Sequence, residues 1–349
     1  MRWRSTVGAA TLASVLCWGS LLSQAPDSQE FVRSYLARNN FSADEIAELE
    51  AGRVITRVDA DRSTGSEIFV VAAVKILVPR ANVTAYYGQM VSYVDGEVTT
   101  GFGRFSAPPA IADVKDLAFD REEVEDLKSC RPGKCDIRLG GASLDALRSS
   151  IDWSAPDYPE RVNAFARKAA LDYVAGYQAR GDAALVTYND RAKPVSLQEQ
   201  WLGILANSPL LQEYTPELKT YLERFPKANL PGAQDVFYWV KGRYGLAPII
   251  GIVHGVLYEP PNRDRTMVVQ KQLYASHYLD ASLAVATLLD ARQEGHPATY
   301  MLYTNRSRGD LLKGGFGGLK REVGRSQARR AAEETLGTIK QMLEAAQKL

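Results

Sequence analysis

Four strand-length runs, at positions 235–244, 249–258, 266–279 and 298–305, crowd β-branched and aromatic residues into the last third of the chain. A glycine-rich basic turn, GGFGGLKR, and an amphipathic C-terminal helix follow them. Runs of this composition pair as an antiparallel sheet when short turns join them. A sheet must bury a face, and the terminal helix is the nearest element able to cover it. Its apolar stripe is Leu319, Val323, Ala328, Ala331, Leu336, Ile339 and Leu343. The predicted fold class is α+β: a curved antiparallel sheet gripping a long C-terminal helix, with a helical insertion. A space between sheet and helix is where a ligand would sit.

The remainder of the chain adds a leader, a first half-sheet and a helical block. Arg2 and Arg4, an apolar stretch from Val7 to Leu22 and Ser-Gln-Ala at 23–25 read as a signal peptide cleaved near Ala25. The competing reading, an uncleaved anchor, meets an apolar stretch short of a bilayer span and broken by Gly, Ser and Thr. Export places the protein in the periplasm or outside the cell. There Cys130 and Cys135, in CRPGKC, are expected to form a disulfide across a Pro-Gly turn. A redox pair would more typically be CxxC at a helix start, and a metal site would need more ligands.

Helices are predicted over 28–39 and from Ser42, whose spacing to Glu45 is a capping box. Strands follow at 53–58 and 67–78, then a helix at 82–91. A hairpin is expected over 93–105 around Asp95-Gly96, and a strand at 136–139. Residues 142–229 read as helices at 144–151, 159–181, 197–205 and 216–225. The domain reading is therefore a signal at 1–25, a first half-sheet at 26–141, a helical insertion at 142–232 and a second half-sheet with its helix at 233–349. A chain of 349 residues, 46% hydrophobic and 24% charged, can build such a core. Its net charge of +1 gives no field that would attract nucleic acid.

EIFVVAAVKI followed by VTAYYGQM, the strands FYWVKGRY, IIGIVHGVLY and TMVVQKQLYASHYLDA, and the closing segment TYMLYTNRSRGDLLKGGFGGLKREVGRSQARRAAEETLGTIKQML are laid out in a familiar order. The order resembles the START-like, or polyketide cyclase-like, helix-grip superfamily over roughly residues 46–106 and 233–349. That resemblance implies a sheet and terminal helix enclosing a hydrophobic cavity for lipids, sterols or other apolar molecules. Some members are cyclases or hydrolases. The block at 142–229 departs from the compact pattern.

Strand alternation nominates side chains for the cavity. In 266–279 one face carries Met267, Val269, Lys271, Leu273, Ala275, His277 and Leu279, the other Val268, Gln270, Gln272, Tyr274, Ser276 and Tyr278. The first is the more apolar and is expected to face the cavity or core. Ligand contacts are then expected from Lys271, His277, Tyr274, Arg243 and Trp239. His277 and His254 have two readings, a hydrogen-bonded structural histidine or a general base. No HExxH, GxSxG or Walker spacing is present, so neither a metal nor a cofactor is expected. Lys320, Arg321, Arg325 and Arg329 oppose the macrodipole at the start of the last helix, and either form a solvated face or meet an anionic membrane surface.

The expected function is binding of a lipid or other amphipathic small molecule by an exported protein. The alternatives are a cavity-based hydrolase or cyclase using His277 or His254, and a structural or interaction module of the cell envelope.

Overall fold

The computed structural model describes residues 28–58, 67–89, 99–242, 247–309 and 317–347. The leader, the Asp95-Gly96 turn and Arg243 lie outside the described residues. The described chain is an α+β protein with a large curved antiparallel sheet and a long C-terminal helix.

Helices α1 (Ser28–Arg38) and α2 (Ala43–Glu50) precede strands β1 (Ile55–Val58) and β2 (Glu67–Ile76). The capping box forms as expected: Ser42 Oγ accepts from the Glu45 amide at 3.2 Å, and the Glu45 carboxylate accepts from the Ser42 amide at 2.7 Å. Gly52, at a φ of +82°, lets the chain leave α2 and turn into β1. Helix α3 (Arg80–Gln89) and strand β3 (Thr99–Phe105) follow. A helical segment then intervenes: α4 (Arg121–Ser129), α5 (Gly141–Ser150), α6 (Tyr158–Arg180), the short hairpin β4 (Thr187–Tyr188) and β5 (Val195–Ser196), α7 (Leu197–Ala206) and α8 (Pro216–Arg224). The chain returns to the sheet as β6 (Ala233–Gly242), β7 (Ile249–Tyr258), β8 (Arg265–Ala275), β9 (Leu279–Gln293) and β10 (His296–Gly309), and ends in α9 (Gly317–Ala346).

The main sheet has eight strands in the order β1-β2-β10-β9-β8-β7-β6-β3. Every pairing is antiparallel, and β2 meets β10 across more than two hundred residues of sequence, from Ile76↔Thr299 to Glu67↔Arg308. Strand β2 is buried along its whole length, because both faces of the sheet are covered. One face carries α1, α2 and the helical segment. Phe31, Val32 and Leu36 pack on Phe69, Val71 and Leu302, and Trp201, Ile204 and Leu222 pack on Val256, Val269 and Val285. The other face carries α3 and α9, with Val83, Tyr87, Leu336 and Ile339 over Val70, Ala72, Val74, Val268 and Met301.

Several sequence expectations change. Residues 266–279 are not one strand. The chain breaks at Ser276–Tyr278, with Tyr278 at a φ of +61°, and β9 then runs fifteen residues through LDASLAVATLLDARQ. That strand escapes a period-two search because both of its faces are apolar, and the turn before it has neither Gly nor Pro. Of the hairpin expected over 93–105, residues 99–105 are described and form a strand paired with β6. Residues 136–139 form no strand, although Gly140 bridges Tyr188. The segment before residue 142 packs with the helices that follow it. Val124, Leu127, Cys130, Cys135 and Ile137 share a core with Leu144, Leu147 and Val162, so α4 and the disulfide turn join the helical layer. The Cys130–Cys135 disulfide is formed inside that core, around a turn in which Gly133 has a φ of +84°. Among the described residues no helix is long and apolar enough to cross a membrane.

Helix α9 is packed through its second half. Ala332, Leu336, Ile339 and Leu343 are buried, whereas Ala331 is exposed and Val323 is 50% exposed. Leu336→Ala should therefore lower unfolding stability by about 3 kcal/mol, while Val323→Ala should change it by less than about 0.5 kcal/mol. Urea denaturation of the two variants measures the difference.

Candidate functional site

Antiparallel register assigns each residue of β6, β7 and β8 to a face, because directly paired residues point the same way. Lys271 pairs with His254, and His254 with Phe237. These three belong to the face covered by the helical segment. Gln272 pairs with Val253, and Val253 with Tyr238, on the face that carries α9. The more apolar series of β8 therefore packs against the helical layer and does not line a space beneath α9. Of the cavity and the core expected for that series, Lys271 meets the core, and this has a packing reason. Met267, Val269 and Leu273 seal a fully occupied core against Trp201, Leu218, Ala170 and Val174.

On that sealed side the chemistry-bearing residues form a buried polar network. Lys271 is wholly inaccessible. Its ammonium donates to Asp182 Oδ1 at 2.5 Å and to the Leu222 carbonyl at 3.2 Å, and it lies over the rings of Tyr177 and Trp201. Gly181 makes the Asp182 contact possible. It has a φ of +59°, and a Cβ there would fall 1.8 Å from the Phe225 carbonyl oxygen. Burial pushes the Lys271 amine below its ordinary value, with Asp182 opposing the shift.

His254 spends both ring nitrogens. Nε2 lies 2.7 Å from Asp235 Oδ1, and Nδ1 lies 3.3 Å from Tyr177 Oη. With the proton on Nε2, the ring donates to the carboxylate and accepts from the Tyr177 hydroxyl. Tyr221 donates to the second Asp235 oxygen at 2.6 Å. Burial holds the imidazole below its ordinary pKa, against the pull of Asp235, so it stays neutral. Phe237 stacks on it and Phe225 lies against it, and the ring itself is inaccessible.

Of the remaining nominated residues, Tyr274 and His277 sit where β8 and β9 part, and Trp239 sits on β6 opposite the edge strand β3. The β8–β9 pairing ends at Lys271↔Leu283, and the helical layer fills the split. Buried Arg138 enters it, donating from Nη2 to Asp280 Oδ1 at 2.5 Å with its guanidinium over the Tyr188 ring. Tyr274 donates to the Arg138 carbonyl at 2.8 Å. Trp239 lies against Gly103, its register partner, and donates to the Asp113 carbonyl at 2.8 Å; a Cβ on residue 103 would collide with the indole nitrogen. His277 Nδ1 meets Ser276 Oγ at 3.0 Å and Glu123 Oε1 at 3.9 Å. This is not a nucleophile triad, because serine and acid face the same ring nitrogen and Ser276 is inaccessible. Burial lowers the His277 pKa, with a hydrogen bond to the Pro248 carbonyl opposing it, and burial raises that of Glu123. Among the described residues no three His, Cys, Asp or Glu side chains are grouped to hold a metal ion.

The α9 face of the same strands has a different character. One row across the sheet reads Val236, Gly255, Gln270, Ala284, Asn305 and Val70. The row on one side of it is Leu257, Val268, Ala286, Tyr303 and Ala72, and on the other side Arg104, Tyr238, Val253 and Gln272. Glycine and alanine lower the floor between aromatic and aliphatic walls. Its polar members are mostly uncharged: Gln270, Gln272, and Asn305, which donates to Ser282 Oγ at 3.3 Å. Arg104 is exposed at the β3 edge. These amides went unrecognised because they share the less apolar series, although two glutamines spaced by two within a buried strand was the available signal. A separate water-sized pocket lined by Tyr35, Phe69, Leu210 and Arg306 lies on the helical-layer face.

At the start of α9, Arg329 and Arg330 are exposed, and Arg325 lies 3.8 Å from Glu322; the side chains of Lys320 and Arg321 lie outside the described residues. No family model, no curated protein and no solved structure matches the chain.

The Lys271–Asp182 pair gives this division of faces a direct check. Lys271→Met alone should destabilise the fold by about 3 kcal/mol by leaving Asp182 unpaired against the core, and Lys271→Met with Asp182→Leu should recover most of that loss. A double-mutant cycle by chemical denaturation reads the coupling.

Proposed function

We propose that the protein binds an amphipathic small molecule of the lipid class along the α9 face of β6–β9. The observation that carries this reading is the contrast between the two faces. One is sealed by helices, and its ionisable groups are paired. The other combines a Gly255–Ala284–Ala286 floor, walls from Tyr238, Val253 and Tyr303, and neutral amides. Ligand sites are mostly apolar surfaces with a few placed polar groups. Further support comes from the layout: one long strand, a helix, then antiparallel strands ending in a long helix, as the helix-grip resemblance implies. The general-base alternative loses support because His254 and His277 are committed to structural hydrogen bonds.

In this reading the disulfide and the leader belong to an exported protein, and the basic start of α9 meets an anionic membrane from which ligand is drawn. Organic extraction of the purified protein followed by mass spectrometry should release a lipid, and added methyl palmitate should raise the melting temperature. Uptake from phosphatidylglycerol vesicles should weaken as salt is added, since exposed charges are screened over about 8 Å at physiological ionic strength. Absence of both copurifying lipid and thermal shift would remove the reading.

A further inference from the structure

Gln272 is 6% exposed, and its side-chain nitrogen Nε2 is buried with no hydrogen-bond partner among the described residues. An amide N–H left unpaired in a core loses its hydration without compensation, so natural cores rarely keep one. Its register partner is Val253, which places it on the α9 face beside Tyr238. Gln270, two residues earlier, shares that face and is half-buried, and among the described residues none hydrogen-bonds its side chain. The Gln272 backbone carbonyl is already occupied, accepting from Trp201 Nε1 at 3.0 Å. Trp201 thus holds the strand from the opposite side, and the unpaired amide is the group left to act.

What such a donor accepts depends on the charge around it. The row through Gln270 contains no charged side chain, and the row through Gln272 reaches one only at the exposed Arg104, on the outermost strand. Lys271, adjacent in sequence, points to the other face and is paired with Asp182. A carboxylate or phosphate brought to Gln272 would be desolvated with no close cation in either row among the described residues, which is strongly unfavourable. A carbonyl or ether oxygen needs only the hydrogen bond that the amide offers.

The geometry points to Gln272 as the anchor for an uncharged hydrogen-bond acceptor, so that the ligand class is a neutral lipid, an ester or acyl amide, and not a free fatty acid or a phospholipid headgroup. This rests on the proposed binding reading and adds the chemistry of the head. Gln272 donates to the acceptor oxygen, Gln270 stands two residues along the same face, and the apolar tail follows Val268 and Ala286 toward the α3 end of the trough.

The experiment compares methyl palmitate with ionised palmitate by titration calorimetry on the wild type and on Gln272→Leu. The wild type should bind the ester more tightly. Gln272→Leu should weaken the ester roughly tenfold, the effect of losing one buried hydrogen bond. It should also leave the unliganded melting temperature equal or higher, because an unsatisfied polar group has been removed. Should leucine prevent folding, Gln272→Met carries the same test. Tighter binding of palmitate, or an unchanged ester affinity in the variant, overturns the neutral-head assignment while leaving lipid binding in place. Binding of neither probe overturns the binding reading and this assignment together.

Discussion

The buried pair between Lys271 and Asp182 is the contact on which the arrangement turns. It ties the middle of the sheet to the loop after α6, and it sits at the register point where β8 meets His254 of β7. Side chains alternate with a period of two, so a one-residue slip of β8 would exchange its faces completely. Lys271 would leave Asp182, and Gln270 and Gln272 would be driven against Trp201 and Tyr177. A buried ion pair contributes little net stability but penalises the wrong register heavily. His254, clamped between Asp235 and Tyr177 on the neighbouring strand, acts in the same sense.

Much of the architecture was legible because it follows local rules. The Ser42–Glu45 box, the Ile249–Tyr258 strand, the helices between β3 and β6, and the terminal helix each carry a periodicity or a cap that needs no tertiary information. The disulfide was legible from CRPGKC, where the chain must turn within a few residues. Strand β9 was not. Ala284, Ala286 and Leu288 face α9, and Leu283, Val285 and Leu289 face the helical layer, so its pattern has no polar phase to mark a strand. The turn before it depends on Tyr278 in a left-handed conformation, which no local signal announces.

The candidate site was legible only by half. Alternation divided β8 as the structure does through Leu273, but Tyr274 falls on the helical-layer side because the β7–β8 register shifts at Ile252/Val253. The more apolar series belongs where packing is tightest, against helices whose presence on that face is a tertiary fact. In the proposed reading, the surface that holds an amphipathic molecule is the less apolar series, because such a surface needs a few unspent polar groups. Lys271 and His254 stood out in the sequence because charge in an apolar strand is conspicuous. Asp182 and Asp235, which neutralise that conspicuousness, lie far away along the chain.

In the proposed reading, helices on both faces give the two sides of one sheet separate duties, one structural and one directed at a ligand. The most direct test is to illuminate the purified protein with a diazirine-bearing fatty acid methyl ester and map the adducts by peptide mass spectrometry. Adducts at α9-face positions such as Tyr238, Val253, Gln270 and Tyr303, competed away by unlabelled ester, are the predicted result. Competable adducts on α6, α7 or α8, or none that an unlabelled ester displaces, would contradict the division of the sheet into a sealed face and a binding face.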